Sequence, residues 1–261
     1  MISSASMAAA GHPAMLRSTL DQADGLRRLF PGGAQLQVLP LVANPHVAFS
    51  GLVLDRLAAV LAADGRQVLV VDAAADAPEA PELARLNLAV CIERIAPRVA
   101  YLPARGLPLS YVDTRGSAAM FIDALLTAAP WVDTVLLHAQ SHEMARVLAR
   151  RQARPMLLGA DHPESIKNAY GSAKSLAQRC GLLGFDLLLA AAPHSPRSGA
   201  IAHSLSQCLD NFLGGWLQHR AVVDPAADVA APADAALRAL LSGQLRMPEL
   251  IGLQASVSGP S

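Results

Sequence analysis

Lysine is almost missing from this chain. Only Lys167 and Lys174 occur in 261 residues, and the other basic residues are arginines. Aromatic residues make up 4% of the chain and charged residues 16%, with a formal net charge of zero. Zero net charge excludes a global attraction to nucleic acid or to an acidic membrane surface. Cysteine is equally sparse. Cys91, Cys180 and Cys208 are scattered in apolar contexts without metal-ligand spacing, which indicates buried thiols in a reducing compartment and excludes a disulfide framework. The first twenty residues lack a basic segment followed by an apolar one, so no signal peptide is expected. No apolar run is long enough to span a bilayer. The expected location is cytoplasmic.

What is present is core-forming material, with 52% hydrophobic residues. That suffices for one α/β domain with tails. Buried strands are expected at Leu36–Val42, Val68–Val71 (ending at Asp72), Val99–Leu102, Thr134–Leu137, Pro155–Leu158 and Phe185–Ala191, with a short last one at Val222-Val223. Helices are expected at Leu52–Ala63, Ala118–Ala128, Glu143–Arg151, Glu164–Cys180, Gly199–Leu217 and Ala235–Arg246. Apolar strands alternating with helices predict a mostly parallel sheet covered on both faces, a three-layer α/β/α fold. Residues 73–87, rich in Ala, Pro and Asp, read as a loop. Before this domain, Leu16, Leu20, Ala23, Leu26 and Phe30 form one apolar stripe, and Thr19 with Gln22 fits a capping box, which predicts an amphipathic helix over 19–30. Three parts follow: residues 1–35 as a flexible N-terminus with that helix, 36–225 as the α/β domain, and 226–261 as a C-terminal amphipathic helix with a disordered tail.

The turn after the first strand is where such a domain cradles phosphate. It needs glycines, so that backbone N–H groups approach the anion, a lysine to neutralise charge, and a hydroxyl for magnesium. Here it reads Ala43-Asn44-Pro45-His46-Val47-Ala48-Phe49-Ser50-Gly51. Pro45 removes a donor, Val47 and Phe49 resist glycine-type dihedrals, and no lysine is present. Other chemistry-bearing groups are weaker signals. His138, His142 and Glu143 straddle a strand-to-helix junction, so a metal site is not expected. Gly171-Ser172-Ala173-Lys174-Ser175 imitates the end of a phosphate loop but lies inside a helix. His194, Ser195 and Ser198 lack the elbow of a hydrolase nucleophile.

Three segments, Asp21–Arg27, Leu57–Asp72 and His162–Tyr170 with Lys174, together resemble the FlhG (FleN) flagellar-number regulators of the MinD/ParA ATPases. Asp21-Gln22-Ala23-Asp24-Gly25-Leu26-Arg27 matches the N-terminal DQAxxLR segment. Leu57–Asp72 resembles the first helix and second strand of MinD/ParA proteins. His162-Pro163-Glu164-Ser165-Ile166-Lys167-Asn168-Ala169-Tyr170, with Lys174 one turn on, resembles TPEPTSITDAYxxIK. The resemblance implies a MinD/ParA-like P-loop NTPase fold. It also places the nucleotide groups. The phosphate lysine falls on Ser50, the following threonine on Gly51, and the second, dimer-crossing lysine on Pro45. The paired aspartates after the second strand fall on Asp72 and Ala74, and the magnesium-side aspartate on His138. Of the charged groups only Asp72 remains, so a pseudo-ATPase with no catalytic residue and no cofactor is expected.

What the resemblance implies for function is a partner role. FlhG proteins act with the signal-recognition-type GTPase FlhF to set flagellar number and placement, and their N-terminal helix docks on FlhF and stimulates GTP hydrolysis. The corresponding residues are Asp21, Gln22, Ala23, Leu26 and Arg27. Basal-body or transcription-regulator proteins are further expected partners. The C-terminal helix is expected to make only weak peripheral contact with the inner membrane near the flagellar site. Two other readings stay open: an active ATPase using ATP and magnesium through an unorthodox loop, and a division or partition adaptor. The DQAxxLR segment weighs against the last.

Overall fold

The computed structural model describes residues 36–149 and 151–247. The expected helix over 19–30, with Asp21, Gln22, Ala23, Leu26 and Arg27, lies outside the described residues. The chain builds β1 (Gln37–Val42), α1 (Ser50–Ala63), β2 (Val68–Ala73), β3 (Glu93–Ala96), β4 (Val99–Pro103), α2 (Met120–Ala128) and β5 (Thr134–Ala139). It continues with α3 (Ser141–Val147), β6 (Met156–Ala160), α4 (Pro163–Cys180), β7 (Gly184–Ala190), α5 (Pro196–Leu213), β8 (Trp216–Val223) and α6 (Ala235–Leu245). The strands form one sheet in the order β3-β4-β2-β5-β1-β6-β7-β8, parallel except for β3. Central strands are buried along their whole length, as continuous apolar runs require when helices cover both faces. Helices α2 to α5 pack one face, and α1 with α6 the other. The result is the expected three-layer α/β/α architecture. No helix among the described residues is long and apolar enough to cross a membrane.

Pro40 stands in the middle of β1, a central strand, where a proline normally costs a ladder bond. The N–H groups of Gln37 and Ala43 bond to Asp133 and Ala139, on the β5 side. Alternation therefore turns the Pro40 nitrogen toward β6, whose pairing begins only at Leu41 with Met156. In a parallel register the acceptor it would have used is the Arg154 carbonyl. That carbonyl accepts from Gln244 Nε2 at 2.7 Å instead.

The same glutamine belongs to a buried polar cluster that docks α6. Asp186, at the start of β7, is fully buried. Its Oδ2 accepts from Arg154 Nε at 3.0 Å and from Gln244 Nε2 at 2.7 Å. Its Oδ1 accepts from the His219 backbone N–H at 2.9 Å and from His219 Nδ1 at 3.2 Å. Gly243 is what lets the helix come this close. A Cβ there would lie 2.5 Å from His219 Cε1 and 2.9 Å from Arg154 Nη2. Leu237, Leu240 and Leu241 are buried in the core. The C-terminal helix thus turns its apolar stripe inward rather than toward a bilayer.

Boundaries moved where turn chemistry outweighed periodicity. The expected helix to Leu217 ends at Leu213. Gly214 takes φ 62° and the Gly215 N–H bonds back to the Leu209 carbonyl, which closes the helix and frees Trp216–Val223 to form an eight-residue strand. Residues 73–87 include a 3₁₀ turn at Glu82–Arg85, and β3 follows them. Helix α3 starts at Ser141 and stops at Val147, short of the expected Arg151.

Removing the shared acceptor leaves a buried guanidinium unpaired. Asp186→Ala should therefore lower unfolding stability in urea by about 3–5 kcal/mol. Gly243→Ala should also destabilise, through the clash with His219.

Candidate functional site

The C-terminal ends of β1, β2, β5 and β6 meet where an α/β sheet of this kind places its ligand crevice. The turn after β1 is tied down from within. Asn44 is buried, and its Nδ2 donates to the carbonyls of Leu158 and Ser165, both at 2.8 Å, and to Ser165 Oγ at 3.1 Å. Its Oδ1 accepts from the His46 N–H at 3.1 Å. Ser165 is fully buried, and its Oγ accepts from the Ala160 N–H at 2.7 Å. His162 caps α4 by accepting from the Ser165 N–H. Its Nε2 therefore carries the proton and donates to the His46 carbonyl at 2.8 Å. Val47 is buried in the core beneath α1. The turn is thereby pinned to β6 and to the start of α4.

Phe49 adopts φ 64° and ψ 32° at the head of α1, without a side-chain cap. Among the described residues it is the one non-glycine with positive φ. Its ring is 68% exposed, beside the partly exposed Leu52. A bulky residue there is strained by about 1–2 kcal/mol. It is a backbone conformation that glycine adopts without strain.

Asp72 closes β2 and pairs in register with His138 on β5. The His138 ring is 1% exposed, and its Nδ1 lies 2.8 Å from Asp72 Oδ1. A carboxylate only accepts, so Nδ1 carries the proton. His138 Nε2 has no hydrogen-bond partner among the described residues. Asp72 Oδ1 also accepts from the Ala74 N–H at 3.3 Å, and the Tyr101 phenol on β4 lies close enough to feel the carboxylate's charge. Burial, then the charges of Asp72 and Asp55, push the Tyr101 phenol up to about 12.

The remaining sequence-derived positions spread around this centre. Ser50 Oγ donates to Asp76 Oδ2 at 3.3 Å. Pro45 and Gly51 are exposed. Ala74 is fully buried, in a small apolar cluster with Ala43 and Ala77. His142 lies exposed on α3 while His138 is buried. Gly171–Ser175 is interior to α4. Ser195 Oγ donates to Asp161 Oδ2 at 2.9 Å. Among the described residues no three His, Cys, Asp or Glu side chains converge as metal ligands. Sequence reading missed Asn44, Tyr101 and the His46–His162 link. The one available signal was an Asn immediately after a buried strand.

No protein-family description and no curated protein matches the chain. Solved structures do match. A plasmid partition protein from Borrelia burgdorferi superposes with a TM-score of 0.52 at 9% identity, over 80% of this chain and 99% of that one. A putative plasmid partition protein from the same organism, bound to AMPPNP, gives 0.52 at 8% identity, over 78% and 94%. The MinC:MinD cell division complex of Aquifex aeolicus gives 0.50 at 10% identity, over 79% and 96%. The chain has the MinD/ParA P-loop NTPase fold.

Within that fold, the centre offers one carboxylate already held by an imidazole and an N–H. Two outcomes check the geometry. Phe49→Gly should leave stability unchanged or raise it by up to about 1 kcal/mol, the relief of strain offsetting the added chain entropy, whereas Phe49→Val should destabilise; thermal unfolding reads both. The Tyr101 phenol should titrate near 12 by ultraviolet absorbance, and Asp72→Asn should bring it down. Its unfolded value is about 10. The Tyr101 contribution to stability is thus fully present below pH about 10 and is lost as pH rises toward about 12, which urea midpoints across that window measure.

Proposed function

We propose that this protein is a non-catalytic regulator of flagellar number and placement that keeps a MinD/ParA-type fold without its ATP chemistry. It acts on a FlhF-type GTPase through Asp21, Gln22, Ala23, Leu26 and Arg27. The observation that carries the reading is the hydrogen bond from His138 to Asp72 at 2.8 Å. Phosphoryl transfer depends on positioning and charge neutralisation by lysine and magnesium. Magnesium ATP does not fit the residues present. The acid that could face a cation is engaged by a histidine, which stands where the resemblance puts the magnesium-side aspartate. Ser50 and Pro45 stand at the lysine positions, and Ala74 is a buried methyl. Asn44 pins the turn that would have to wrap the phosphates.

The partner segment supports a role that needs no nucleotide. A short helix carrying a polar Gln and an acid suits insertion into a partner's groove, and the DQAxxLR match is what distinguishes flagellar regulators from partition proteins of the same fold. A domain that does no chemistry can still carry and present such a segment.

The test is GTP hydrolysis by the cognate FlhF-type GTPase with the full chain and with a chain lacking residues 1–33. The expected result is stimulation by the full chain, none by the truncated one, and no change on adding ATP. Absence of stimulation at every concentration contradicts the flagellar reading, and saturable binding of magnesium ATP by the purified protein contradicts the non-catalytic one.

A further inference from the structure

On the opposite face of the sheet from α1, four arginines converge on one cleft. It has a volume of about 600 Å³ and is lined by Arg115, Arg146, Arg151 and Arg179, with Asp113 as its one carboxylate. The chain as a whole is neutral, so this is a local concentration of positive charge. Like charges gathered in a concave space repel one another unless something of opposite sign completes them.

The cleft is built, not incidental. Asp113 Oδ1 accepts the N–H groups of Arg115 at 2.8 Å and Ser117 at 2.9 Å. The Asp113 N–H returns to the Ser117 carbonyl at 2.8 Å. Gly116 supplies the φ of 79° that the turn requires. This turn holds Arg115 over the cleft. Arg146 Nη1 donates to the Gly116 carbonyl at 3.2 Å, and Arg151 Nη2 to the Ala119 carbonyl at 3.2 Å. Carbonyls orient a guanidinium without cancelling its charge. Burial lowers the Arg151 guanidinium below its ordinary value, and the charge of Asp123 works against that. Among the described residues, Arg115, Arg146 and Arg179 have no ion-pair partner. Helix α2 starts at Ala119 on the cleft wall, with no side-chain cap on its first turn, and adds partial positive charge there.

We infer that this cleft binds a small oligophosphate anion. Its volume falls within the usual range of small-molecule sites. Guanidinium forks match phosphate oxygens bidentately. A single carboxylate would leave most of Arg115, Arg146 and Arg179 unpaired, whereas adjacent phosphoryl groups place several charges within one such space. The site is independent of the Asp72–His138 centre, which faces α1 on the other side of the sheet, and it does not rest on the flagellar reading.

The experiment is isothermal titration of the full chain with tripolyphosphate, and in parallel with citrate, at physiological ionic strength. The variants are Arg115→Glu and Arg179→Glu, both exposed, with exposed Arg197→Glu as a charge-matched control. Saturable tripolyphosphate binding is expected, weakened about tenfold or more by each cleft reversal and unchanged by Arg197→Glu. No binding at millimolar tripolyphosphate, equal affinity in the cleft reversals, or citrate binding as tightly as tripolyphosphate would each overturn the proposal.

Discussion

A hydrogen bond from an imidazole to a carboxylate, His138 Nδ1 to Asp72 Oδ1 at 2.8 Å, joins the ends of the two strands around which this site is arranged. It sits at the C-terminal edge of the sheet, where β2 and β5 run in register. A lone buried carboxylate is costly unless it is paired or well hydrogen-bonded. Asp72 meets that demand from within the protein, through His138 and the Ala74 N–H. The two strand ends are stitched together by side chains.

The turn follows the same logic. A phosphate cradle is an open arc of N–H groups awaiting an anion. Here Asn44 reaches inward to the carbonyls of Leu158 and Ser165, Val47 packs in the core, and His46 is tied to His162. Phe49 is the one non-glycine among the described residues with a left-handed backbone, a strain that the surrounding structure imposes.

Much of this fold was legible in the sequence because buried parallel strands read as continuous apolar runs. Val68–Asp72 and Thr134–Leu137 needed nothing more. Long-range contacts explain what local pattern could not. Pro40 argues against a central strand, and only its alternation toward the unpaired stretch before β6, with Gln244 satisfying the Arg154 carbonyl, makes it acceptable. Gly243 reads as a weak point in a helix, whereas it is the point of closest approach to His219 and Arg154. In the site, Ser50, Pro45, Ala74 and His138 could be named from the sequence as positions. The hydrogen bonds around them could not, because partners such as Asn44 and Ser165 lie 121 residues apart in the chain.

The proposed loss of ATP chemistry depends on His138 holding Asp72. Nitrogen-15 NMR of the His138 ring tests it directly. The account predicts a proton on Nδ1, in the Asp72 hydrogen bond, with ring resonances unmoved by millimolar magnesium and ATP. A shift of those resonances on adding magnesium ATP, with loss of the Nδ1 proton signal, would contradict it.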